Sequence, residues 1–123
     1  MTTTLKRIMR EVVEMKKEVE KQREPPWIFA EPMGDNLFEW HFTIQGPPET
    51  PYEKGLYHGR IILPNEYPFK PPNIYMSTLN GRFQVNQKIC LNVTGFHPEH
   101  WQPAWGIRVI LVALQVRGRE EYK

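Results

Sequence analysis

The stretch Leu37-Phe38-Glu39-Trp40-His41-Phe42-Thr43-Ile44-Gln45 puts Phe38, Trp40 and Phe42 on one side and Glu39, His41 and Thr43 on the other. A period of two is the mark of a strand with one buried and one wetted face. Gly46-Pro47-Pro48 ends it. Shorter strand candidates flank it at Trp27 to Glu31, Tyr57 to Leu63 and Asn73 to Ser77. The segments between them are short and carry Gly, Pro or Asn, and none has a helical period. The spacing therefore predicts a four-stranded antiparallel meander without parallel crossovers.

Upstream the period changes. Leu5, Ile8, Met9, Val12 and Val13 follow the spacing of one helical face, so residues 3 to 23 are expected to form a helix. Thr3 or Thr4 is the expected cap, and Pro25-Pro26 the expected stop. Lys6, Arg7 and Arg10 cluster on its first turns. Downstream of Ser77 come about 25 residues without clear periodicity, and a loop of that length in a small domain is usually functional. It holds Cys90. A second helix is expected from about Pro103, through Trp105, Val109, Ile110, Val112, Ala113 and Leu114. The plan is an α+β domain: N-terminal helix, four-stranded antiparallel meander, structured loop, C-terminal helix.

Composition narrows the function. A chain of 123 residues is enough for one domain and no more. Its apolar runs fall short of the ~18 residues that cross a bilayer. Met1 to Arg7 shows no apolar stretch behind its charges, so a secretory leader is not expected. Sixteen Lys and Arg against fourteen Asp and Glu leave +2, too mild to argue for a nucleic-acid partner. The single cysteine, Cys90, excludes internal disulfides and a cysteine-based zinc site and fits a reducing, cytoplasmic setting. No metal and no cofactor are expected. Taken alone, a lone cysteine is more often a small core residue than a nucleophile, and both readings stay open on spacing.

Three uncommon motifs then occur in order: Tyr67-Pro68-Phe69-Lys70-Pro71-Pro72, Ile89-Cys90-Leu91 and Trp101-Gln102-Pro103-Ala104. Together they resemble the ubiquitin-conjugating enzymes. That family's usual His-Pro-Asn tripeptide is replaced by Thr78-Leu79-Asn80-Gly81-Arg82-Phe83, which is similar to the signature of its J-type, endoplasmic-reticulum-associated branch. Asp35 to His41, Tyr57-His58-Gly59-Arg60 and Phe96 to Trp101 fit the same branch. The resemblance runs from about Leu5 to Leu114. Beyond it the branch carries further helices and a membrane anchor, whereas this sequence continues in the charge-rich stretch Gln115-Val116-Arg117-Gly118-Arg119-Glu120-Glu121-Tyr122-Lys123. Residues 1–123 are accordingly expected to be one conjugating core without those elements, and relatives are expected on the cytosolic face of the endoplasmic reticulum membrane.

The resemblance implies two acyl transfers. Cys90 would take the ubiquitin carboxyl group from the activating enzyme as a thioester, then hand it to a substrate protein's lysine or hydroxyl group with a ubiquitin ligase. Asn80 is the inherited candidate for stabilising the oxyanion, against the alternative of a turn Asn before Gly81; Asn92 is a weaker rival. His97 is the candidate base for a hydroxyl acceptor, against a structural role beside Pro98. Lys88 could favour the Cys90 thiolate or simply be solvated. Lys6, Arg7 and Arg10 are implied to meet the activating enzyme. Phe69, Pro103, Ala104 and Trp105 are implied to face the ligase, against the alternative that Phe69 and Trp105 are core. Two rival functions are a non-enzymatic ubiquitin-binding domain of the same fold and a proline-rich peptide-binding adaptor.

Overall fold

The computed structural model describes residues 2–25, 27–46, 55–77, 87–89 and 98–122. Helix α1 spans Thr3–Lys21. Thr2, not Thr3 or Thr4, caps it: its hydroxyl accepts from the Leu5 amide at 3.0 Å. The helix ends before the prolines are reached. Gln22 is already extended, with φ −64° and ψ 128°, and its side-chain amide pairs with the backbone of Ile28, donating to the carbonyl at 2.7 Å and accepting from the N–H at 2.8 Å.

Five strands follow: β1 (Ile28–Met33), β2 (Asn36–Gln45), β3 (Leu56–Ile62), β4 (Asn73–Met76) and β5 (Gln87–Ile89). They lie in sequence order in one sheet, every neighbouring pair antiparallel. The expected meander is β1 to β4. The three-residue β5 extends it from inside the segment expected to be irregular, because three residues are too short to display a period. Helix α2 spans Gly106–Tyr122. It starts at Gly106 rather than Pro103, since residues 103–105 form a turn closed by the Trp105 N–H on the Gln102 carbonyl at 2.9 Å.

Register decides what is buried. The row Pro32, Trp40, Ile61, Ile74 and the row Ala30, Phe42, Gly59, Met76 share one face. That face meets α1 through Ile8 and Met15 and α2 through Ile107, Ile110, Leu111 and Leu114. Trp40 and Phe42 are fully buried, as the alternation implies, and the Trp40 indole donates to the Leu37 carbonyl. Gly59 has a steric reason: a Cβ there would collide with the Phe42 ring and the Tyr75 carbonyl. The opposite face of the sheet is polar, with His41 on Glu31, Arg60 on Glu39 and Thr43 on His58.

The α1 face is rotated from the one expected. Ile8, Glu11 and Met15 are buried, with Val12 packed against them, while Met9 and Val13 are exposed. The positions i, i+3, i+4 and i+7 are kept, but one of them is a carboxylate.

Candidate functional site

Glu11 is 6% exposed, and every oxygen of its carboxylate has a donor. Oε2 accepts from the Tyr67 hydroxyl at 2.5 Å and from Arg7 Nε at 3.0 Å. Oε1 accepts from the Ile107 backbone N–H at 2.7 Å. A buried charge is tolerable only when paired and fully hydrogen-bonded, which is the case here. The Ile107 bond also explains how α2 begins. Ala104, Trp105 and Gly106 bring no side-chain acceptor to the open amides of the first turn, so α1 supplies one from outside. Gly106 makes room for it: its φ is +75°, and a Cβ would stand 2.5 Å from Glu11 Oε1.

Tyr67 lies within the turn that carries Phe69. The Tyr67–Pro68 peptide is cis. The Phe69 and Lys70 amides return to the Glu66 carbonyl, and the Trp101 indole donates to the Pro68 carbonyl at 2.7 Å. Trp101 in turn meets Trp105 edge to face, centroids 5.6 Å apart. The contacts thus close on themselves, from Glu11 through Tyr67, Pro68, Trp101 and Trp105 to Ile107 and back. Burial and the neighbouring carboxylate push the Tyr67 phenol well above its ordinary range.

The residues expected to face a ligase sit on this frame. Phe69 is 74% exposed, so it is not core. Ala104 is exposed, while Pro103 and Trp105 are half-buried. The basic trio divides. Lys6 and Arg10 are exposed, Arg10 beside Glu14 at 3.4 Å. Arg7 turns inward, its side chain 13% exposed, paired with Glu11 and lying over the Tyr67 ring. Between α1 and α2 runs a cleft of about 250 Å³, bordered by Glu14, Glu18, Trp105 and Val109, with Arg108 reaching Glu18 at 3.2 Å.

Cys90, Asn80 and His97 lie outside the described residues. The described chain leads up to Cys90: β5 pairs Ile89 with Ile74, Lys88 with Tyr75 and Gln87 with Met76. Later in the sequence, Pro98–His100 forms a single 3-10 turn. Among the described residues, no helix is long and apolar enough to cross a membrane.

Glu11, Tyr67 and Gly106 are the structural centre of this region; of the three, the sequence motifs include only Tyr67, and they give it no role. One signal for them existed: Glu11 stands three residues after Ile8 and four before Met15, on the apolar stripe itself.

Comparison with known proteins agrees with this architecture. A family model described as "Ubiquitin-conjugating enzyme" matches residues 7–117. Human ubiquitin-conjugating enzyme E2 J1 is 52% identical over 110 residues, covering 89% of this chain and 33% of the relative. Human ubiquitin-conjugating enzyme E2 J2 is 48% identical over 113 residues, covering 92% and 42%. The chain therefore spans well under half the length of these relatives. Among solved structures, the H. polymorpha ubiquitin conjugating enzyme Pex4p, crystallised with the soluble domain of Pex22p, superposes with a TM-score of 0.77 at 28% identity over 94% of this chain and 78% of that one. The match holds across nearly the whole described fold, and the chain belongs to the ubiquitin-conjugating enzyme family, in its J type.

Proposed function

We propose that this chain is one conjugating core that accepts ubiquitin as a thioester on Cys90 and passes it, with a ubiquitin ligase, to lysine or hydroxyl groups of substrate proteins in endoplasmic-reticulum-associated degradation. The observation that carries this reading is the family match from residue 7 to residue 117, which runs through Ile89-Cys90-Leu91 in a chain with no other cysteine.

In the first step the Cys90 thiolate attacks the thioester carbonyl held by the activating enzyme, and that enzyme's thiolate leaves. Bond types on the two sides are the same, so the step needs positioning more than driving force. In the second step an amine or hydroxyl oxygen of the substrate attacks the new thioester. A tetrahedral oxyanion forms, for which Asn80 is the proposed donor, and collapses with loss of the Cys90 thiolate. The acceptor's proton must also leave, and His97 is the proposed base when the acceptor is a hydroxyl. Lys6 and Arg10, the exposed members of the basic trio, are the proposed contacts for the activating enzyme, with Arg7 beneath them. Phe69, Pro103, Ala104 and Trp105 are the proposed ligase surface, supported by the exposure of Phe69 beside prolines.

The test is thioester trapping with activating enzyme, ATP and ubiquitin. The expected product is one ubiquitin heavier and disappears with reductant. Cys90→Ser should give a reductant-resistant adduct or none. A reductant-sensitive product from Cys90→Ala would overturn the assignment.

A further inference from the structure

We infer that Glu11 is the positioning residue of the ligase-facing surface: one buried carboxylate on α1 sets the Phe69 turn and the Pro103–Trp105 turn in a fixed relation to each other. The inference deepens the proposed function and rests on it. Phe69 and Ala104 belong to segments 35 residues apart in sequence and exposed to solvent, so neither can be located by its own burial. Each is tied instead through a neighbour. Phe69 follows Tyr67, whose hydroxyl ends on Glu11 Oε2. Ala104 precedes Ile107, whose N–H ends on Glu11 Oε1. Trp101 joins the two segments directly through the Pro68 carbonyl and the Trp105 ring.

The chemistry of the group matters. Three donors converge on it, one of them the Arg7 guanidinium, which has no acceptor capacity of its own. Only a carboxylate offers two oxygens free of N–H groups to receive them. An amide in its place would turn one –NH₂ group toward either Arg7 and Tyr67 or Ile107. A buried donor left without a partner is costly, and a shift of the neighbouring segment that lets water in relieves that cost. The segments that would lose a tie to Glu11 are those bearing Phe69 and Ala104. Tyr67 has a narrower part: it holds one of the two turns and leaves the α2 start alone.

The experiment uses the full chain with Glu11→Gln and Tyr67→Phe, and Phe69→Ala as the reference for a damaged surface. Three rates are read: charging by the activating enzyme, single-turnover discharge to free lysine, and discharge accelerated by purified ubiquitin-ligase domains chosen from a panel for acting on the unaltered chain. Charging and free-lysine discharge should stay within about twofold of the unaltered chain, while the ligase concentration for half-maximal acceleration should rise about tenfold in Glu11→Gln and less in Tyr67→Phe. Equal loss in all three rates in both variants would reduce Glu11 to a stabilising group and overturn the inference. So would an unchanged ligase dependence, or a panel in which no domain accelerates the unaltered chain. An unaltered chain that fails to charge at all would remove the proposed function itself.

Discussion

The Tyr67 phenol donates to the Glu11 carboxylate at 2.5 Å in a site where neither residue is more than 6% exposed. The folded protein therefore holds the neutral phenol, while the unfolded chain ionises near the ordinary value of 10.0. A pKa raised on folding gives stability that is whole below the unfolded value and is lost as pH rises above it. Above pH 10 the unfolding free energy should fall by about 1.4 kcal/mol per pH unit from this group. Urea unfolding of Tyr67→Phe across the same range should show a shallower decline by about that amount. Identical slopes would remove the buried-phenol account.

Trp40 fills the middle of the sheet's inner face, in register with Ile61 and fully buried. Trp40→Ala should destabilise the fold by about 3–5 kcal/mol. Chemical denaturation measures it, and a loss below about 1 kcal/mol would mean that the inner face repacks freely.

Lys6 and Arg10 reach solvent on the outer side of α1. Replacing both with Glu should slow charging mainly through the association rate. The deficit should shrink as salt is raised past the point where the Debye length falls below about 10 Å. Stopped-flow charging at two ionic strengths reads this directly. A charging rate unaltered at low salt would clear α1 of any steering role.

Asn80→Ala should leave charging largely intact and slow discharge by about 10²–10³-fold, the usual worth of an oxyanion donor. His97→Ala should slow discharge to a hydroxyl acceptor more than to lysine, because the hydroxyl depends more on a base. Paired discharge assays with free serine and free lysine compare the two. Equal losses with both acceptors would make His97 structural.

The main strands were legible because their information is local: the alternation at Phe38, Trp40 and Phe42 survives in the register that buries the last two. The inner face of α1 was misjudged by a fraction of a turn. A hydrophobic count ranks Met9 and Val13 above Glu11, and only the arrival of Tyr67 and Ile107, 56 and 96 residues away, makes the acid buriable. Nothing local announces either partner. Pro103 suggested the helix start, yet the turn it belongs to is closed by Gln102, and the helix waits for Gly106. The residues proposed to face partners come from motif resemblance alone, since exposure at Phe69 is a property of the turn that presents it.

The pairing of Gln22 with Ile28 has a consequence for how copies of this protein behave in concentrated solution. In β1, the groups turned away from β2 belong to Ile28, Ala30 and Pro32, by the alternation that follows from the Trp27–Gln45 bond. A side-chain amide occupies both groups of Ile28, and proline has no N–H to give. A strand from another molecule would find only Ala30 able to both donate and accept, too little to template a ladder. At that margin of the sheet the molecule resists the strand-on-strand stacking that precedes fibres and precipitates, and it does so with an uncharged side chain.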